Sequence, residues 1–169
     1  MKRPSEFRDP PQIKIDRQDR QDRQGADRFE PSLHADETAY AVIGAAIEVH
    51  SYLGPGFLES IYESALAIEF RLRNIPFDRQ SAVEVHYKDF VVGDGRADFI
   101  VGGSVIVELK AVEGINDAHR AQLISYLKAT NINLGLILNF KARRLRDGIQ
   151  RVVWNPILPP LGGLGDLGG

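Results

Sequence analysis

Apolar residues recur along the chain with two different periods. Between Asp36 and Leu53, the residues Val42, Ala46, Val49 and Leu53 fall on one helical stripe. Gly54-Pro55-Gly56 ends that helix, because glycine suits a C-terminal cap and proline cannot continue the turn. A second helix is predicted from about Phe57 to Asn74, where Leu58, Ile61, Ala65, Ile68 and Leu72 form an amphipathic stripe. The period then shortens. "AVEVHY" alternates, with Val83, Val85 and Tyr87 on one face and Glu84 and His86 on the other. "ADFIV" and "SVIVELKA" read as the next two strands, and Gly93 and Gly95 in "VGDGRAD" read as a turn between strands. A third helix is expected over about Asp117 to Thr130. "LGLILNF" is an almost unbroken apolar run, the pattern of a strand covered on both faces, and "IQRVVWN" suits a last strand. The predicted order, α-α-β-β-β-α-β-(β), is that of an α/β protein with an antiparallel part and a buried strand after a crossover helix.

Composition separates the two ends from this unit. Residues 1–35 carry the triplet repeat "DRQDRQDRQ" and too few apolar side chains to build a core. They read as a disordered charged tail, the alternative being a helical arm laced by i,i+3 and i,i+4 charge pairs. Residues 156–169 are rich in proline and glycine and read as irregular, which leaves 36–155 as the folded domain. The absence of cysteine excludes disulfides and thiolate metal sites and suits a reducing cytoplasm. No apolar run approaches the roughly 20 residues of a membrane span, and "MKRPSEFRDP" lacks the apolar segment of a secretory signal. With a formal net charge of -2, contact with nucleic acid would need a local basic patch.

The chemistry concentrates in "RADFIVGGSVIVELKA", where Asp98, Glu108 and Lys110 interrupt strands that are otherwise apolar. Charges inside strands are costly unless they are paired, solvated or bound to a cation. Alternation puts Glu108 and Lys110 on one face. The place of Asp98 depends on the hairpin loop. A two-residue loop, Gly102-Gly103, sets it opposite Val107, on the wrong face. A three-residue loop ending at Ser104 sets it opposite Glu108, with Cβ atoms roughly 4.5–5.5 Å apart. Carboxylates that close repel unless a divalent cation lies between them, and a neighbouring lysine can orient a water or neutralise charge growing on a phosphate. That set suits metal-assisted phosphodiester hydrolysis, although Glu-x-Lys alone is a weak signal, because an acid and a lysine are common on a solvated strand face. Two further segments fit the same site. Glu59 and Tyr62 lie three apart in the second helix, off its apolar stripe and behind Gly54 and Gly56. His119, Gln122 and Tyr126 share one face of the third helix, and Gln and Tyr can bind phosphate or brace catalytic groups.

Together these motifs resemble the PD-(D/E)XK nuclease superfamily. Asp98 followed after nine residues by Glu108-Leu109-Lys110 is similar to its split acid and E-x-K signature. Gln122 and Tyr126 resemble the Q-x-x-x-Y motif of the RecB-like branch, and Gly56, Glu59 and Tyr62 resemble the signature that names the GxxExxY family. The resemblance covers about residues 38–153. It departs from the motif's name at Ala97, which stands where the proline would, a variation that many members share. It implies a restriction-endonuclease-like α-β-β-β-α-β core, a mixed sheet flanked by helices. It also implies Mg²⁺ or Mn²⁺ held by Asp98 and Glu108, with the Leu109 carbonyl and Glu59 completing the set. Lys110 would position the attacking water, and Gln122 and Tyr126 would support the site. The implied partner is nucleic acid, DNA in first place, with no membrane association. Oligomeric state is left open, a homodimer included. The basic run "KARRLRDGIQR" offers a phosphate-contacting edge or simply a solvated loop. His50 and His86 are expected to be structural or surface residues, and His119 is a lesser site candidate. The rival reading, from a different class, is a nucleic-acid-binding or protein-interaction module on the same fold without turnover. Clustered carboxylates beside a lysine argue for catalysis, and the near-neutral net charge argues the other way.

Overall fold

The computed structural model describes residues 30–156, so most of both expected tails lies outside the described residues. Helices α1 (Leu33–Leu53) and α2 (Glu59–Leu72) lead into strands β1 (Phe77–Tyr87), β2 (Phe90–Val101) and β3 (Val105–Lys110). Helix α3 (Asp117–Thr130) crosses to β4 (Leu134–Asn139), and a short 3-10 turn, Leu145–Gly148, precedes β5 (Ile149–Val153). The strands form one sheet in chain order. Only β3 and β4 run parallel, and the other neighbours are antiparallel. This mixed sheet with three helices agrees with the restriction-endonuclease-like core expected above.

Two cores hold the layers together. On one face α1 and α2 pack Val42, Ala46, Tyr62, Leu66 and Phe70 against Phe99, Val101, Val107, Leu109 and Leu136. On the other, Leu123 and Leu127 of α3 cover Val83, Ala97, Ile106 and Ile137. Strand β4, apolar on both sides in sequence, is buried along its whole length. Helix α1 begins three residues before Asp36, where the Ser32 hydroxyl accepts from the Ala35 amide at 3.2 Å. Such a cap is worth about 1 kcal/mol. Among the described residues no helix is long and apolar enough to cross a membrane.

Two sequence expectations are corrected. The stripe on α2 points outward: Leu58, Ile68 and Leu72 are all more than half exposed. The inner face is instead Tyr62, Leu66 and Phe70, spaced by four. Aromatic packing decides between the two stripes, since Tyr62 stacks on Phe140 at 4.5 Å and Phe70 meets Phe77 and Phe99 edge-on or tilted. Gly93 and Gly95 are not a turn but lie within β2, opposite Val85 and Val83. The reversal comes earlier, at Lys88-Asp89, with Lys88 at φ 56°. Gly95 is required for packing, since a Cβ there would lie 2.5 Å from the Tyr126 ring.

Candidate active site at the open end of the β2–β3 pair

The β2–β3 hairpin settles the parity question. Val101 pairs with Val105, so the loop is Gly102 to Ser104, with both glycines in the left-handed region. The ladder runs through Phe99–Val107, and one step further the register sets Asp98 opposite Glu108. There side chains take over from the ladder. The Leu109 amide donates to Asp98 Oδ2 at 2.7 Å, and the Asp98 amide points to Glu108 Oε1 at 3.4 Å. Lys110 Nζ lies 3.7 Å from Glu108 Oε2. The Leu109 side chain is sunk in the core, so only its backbone can face this site.

Helix α2 brings a third acid. Glu59 and Glu63 are four apart, on the face that also carries Leu66 and Phe70. That face is turned inward because the outer stripe is the other one. Tyr62 fixes the approach to the helix: its hydroxyl donates to the Gly54 carbonyl and accepts from the Phe57 amide. It is thus a buried brace for the glycine loop and not a group open to substrate.

The electrostatics tie the acids into one group. Glu108 is almost fully buried, and desolvation, with Asp98 adding repulsion, raises its pKa to about 8 against the pull of Lys110. Burial likewise pushes Asp98 upward, offset mainly by the Leu109 amide. Burial raises Glu59 too, with Lys110 pulling down and Asp98 pushing up. Glu63 acts on both Glu59 and Asp98, while its own carboxylate is held by Arg79 Nε at 2.6 Å. The sequence reading missed Glu63, although its spacing from Glu59 was the available signal. It also missed Gln80, whose amide donates to Asp98 Oδ1 at 3.3 Å. Locating Gln80 needed the true β1–β2 turn.

The α3 residues stand apart from the acids. Gln122 Nε2 donates to Tyr126 Oη at 3.2 Å, and that oxygen accepts from the Arg96 amide. The pair therefore grips β2 two residues before Asp98 and makes no hydrogen bond to a carboxylate of the site. His119 closes a capping box with Asn116 at the start of α3. His50 Nε2 donates to the Ala142 carbonyl oxygen at 2.9 Å, a structural contact as expected. His86 sits on the exposed hairpin near Glu84. In the basic run, Lys141 pairs with Glu113, Arg144 with Asp147 and Arg151 with Asp36. The run starts beside the site, because the Phe140 amide donates to the Lys110 carbonyl at 2.8 Å.

The donor set suits a hard divalent cation: carboxylate oxygens and a backbone carbonyl, with no soft ligand. Mutual repulsion and burial of these acids are what such a cation relieves. Among the described residues, however, no three His, Cys, Asp or Glu side chains are already drawn into a metal-ligating cluster. No curated protein and no solved structure gives a significant match to the chain. The sequence model of the PD-(D/E)XK nuclease superfamily matches residues 36–152, a span that holds every acid of this site together with Lys110, and the chain belongs to that superfamily.

Proposed function

We propose that the chain is a metal-dependent nuclease that hydrolyses phosphodiester bonds of nucleic acid, DNA in first place, using Mg²⁺ or Mn²⁺. The observation that carries this reading is the grouping of Asp98, Glu108 and Lys110 where the β2–β3 ladder stops, with Glu59 electrostatically coupled to all three. Asp98 and Glu108 would hold the cation, with the Leu109 carbonyl and Glu59 as further donors. When bound, the cation would polarise a phosphoryl oxygen and make water a better nucleophile. Lys110 orients that water and offsets charge growing on the phosphate. Gln122 and Tyr126 act at one remove, by fixing the β2 backbone that leads to Asp98. Within the superfamily, Gly56, Glu59 and Tyr62 support membership of the GxxExxY family, and Gln122 with Tyr126 supports a RecB-like relationship.

The second reading is a nucleic-acid-binding or protein-interaction module without turnover. It is favoured by one observation: three of the five cations in the basic run are already engaged by carboxylates, which weakens that edge as a phosphate track. Incubation with mixed single- and double-stranded DNA and RNA plus Mg²⁺ or Mn²⁺, beside Asp98→Ala, separates the two. Metal-dependent cleavage lost in the variant supports the nuclease. Binding without cleavage on every substrate supports the module.

A further inference from the structure

The β1–β2 ribbon turns over at one pair of residues. Phe77 of β1 and its partner Val101 face the α1–α2 core, as does Phe99, the partner of Arg79. Val83 and Ala97, beyond the next rung, face the α3 core instead. Odd-numbered positions thus change sides while the pairing register stays constant from Phe77–Val101 to Val85–Gly93. Residues two apart in a regular strand share a face, so the strand must rotate between these segments. The rung where it rotates is Gln80 opposite Asp98.

The rotation has two local costs. Gln80 has φ 53°, a left-handed conformation that non-glycine residues adopt rarely, and rarely inside a strand. Among the described residues, the other non-glycine residues in that region are Asn74, Lys88 and Asn131, at helix ends or a hairpin turn. The next residue, Ser81, has the one buried side-chain oxygen among the described residues without a hydrogen-bond partner. Backbone strain of this kind persists where surrounding structure or function imposes it. What it achieves here is specific. The Gln80 amide donates to Asp98 Oδ1 while the Leu109 amide donates to Oδ2, so both carboxylate oxygens are held. Without the Gln80 amide, Oδ1 would lack this donor and the carboxylate would be held through Oδ2 alone.

We propose that Gln80 is a positioning residue for the nuclease site, kept in a strained conformation because that conformation orients the Asp98 carboxylate. The proposal rests on the metal-dependent reading above. Outer partners of metal-binding carboxylates typically account for about 10–100-fold in affinity or activity. Gln80→Gly removes both the amide and the strain. Gln80→Asn tolerates the left-handed backbone but is one methylene too short to reach Asp98. Lys88→Gly relieves the same class of strain at the hairpin turn, far from the acids, and serves as control.

The test is a Mn²⁺ titration by calorimetry, with the thermal midpoint in EDTA measured beside it. The expected result for Gln80→Gly is a midpoint raised by about 2–5 °C together with Mn²⁺ binding weakened about 10-fold. Gln80→Asn should lose affinity to the same extent without a fall in midpoint. Lys88→Gly should raise the midpoint and bind Mn²⁺ as wild type does. Unchanged Mn²⁺ affinity in both Gln80 variants overturns the proposal, and a lowered midpoint in Gln80→Gly shows a purely structural residue instead. A wild type that neither binds Mn²⁺ nor cleaves defeats the nuclease reading itself, and the proposal with it. That failure is read on the wild type alone.

Discussion

Replacing Glu108 by glutamine should stabilise the metal-free protein at neutral and alkaline pH. The folded state raises the pKa of Glu108 from 4.5 to about 8, chiefly through burial and then through Asp98. The folded chain therefore holds this proton more tightly than the unfolded chain. Stability is full below about pH 4.5, falls through the interval and levels off above about pH 8. Each pH unit in that interval costs about 1.4 kcal/mol, so at pH 7, where the unfolded carboxyl is ionised and the folded one still holds its proton, Glu108 costs about 3 kcal/mol of stability. The side chain is only 4 % exposed, so solvent screens little of this. Glutamine keeps the shape, can still accept from the Asp98 amide and carries no charge. For a domain of this size the gain corresponds to a rise in melting temperature of about 10 °C at pH 7 to 8 and almost none at pH 4.5. The assay is thermal unfolding in EDTA across pH 4.5 to 9 for both proteins. Asp98 and Glu59, shifted in the same direction, leave a residual slope in the variant. Mn²⁺ should reverse the order of stability above pH 7, because only wild type binds it well. A wild-type melting temperature that is flat between pH 5 and 8 in EDTA, or a Glu108→Gln profile parallel to it, would refute the reasoning.

Asp98→Ala and Glu108→Ala should lose Mg²⁺ or Mn²⁺ binding and cleavage together, whereas Lys110→Ala should keep or slightly improve metal affinity while cleavage drops about 10²–10⁴-fold. Calorimetry beside a cleavage assay reads both, and a Lys110→Ala protein that cleaves like wild type removes the lysine from the mechanism. Tyr62→Phe leaves the Gly54 carbonyl and Phe57 amide without their partner and should cost about 1–3 kcal/mol in chemical denaturation. An unchanged denaturation midpoint would show the glycine loop to be held by other contacts. Deleting residues 1–29 should leave the melting temperature unchanged. Deleting through residue 35 removes the Ser32 cap and buried Ala35 and should lower it by several degrees.

Much of the fold was legible because its signals are local. The third helix was expected and found over Asp117–Thr130, and β4 announced itself by an apolar run with no polar face. The grouping of Asp98, Glu108 and Lys110 in the candidate site was legible because charges inside apolar strands stand out. What escaped needed long-range information. Helix α2 carries two apolar stripes, and only the partners Phe140, Phe77 and Phe99 decide that Tyr62, Leu66 and Phe70 turn inward. Glycine spacing suggested a turn at Gly93 and Gly95, whereas the chain reverses at Lys88-Asp89, which has no glycine. That displacement hid Gln80, because its pairing with Asp98 depends on where the ribbon folds back. Gln122 and Tyr126 were placed on the right face of α3, but the face meets the β2 backbone and not the acids.

The local rules fail together in one place, and that pattern bears on the choice between enzyme and binding module. A buried acid and a half-buried one, both with raised pKa values, a non-glycine residue at positive φ inside a strand and a buried hydroxyl without a partner all occur around the Gln80–Asp98–Glu108 rungs. Elsewhere among the described residues the core is apolar and its polar side-chain atoms are paired. Natural sequences depart from consistency chiefly where function demands it. A module that only bound nucleic acid would be better served by neutral or basic side chains here, since buried carboxylates repel phosphate and cost folding stability. Three acids held beside a lysine are useful to a protein that recruits a cation to them. The expected stabilisation by Glu108→Gln follows from the same logic: stability in the metal-free state is given up at a residue that the proposed cation would contact.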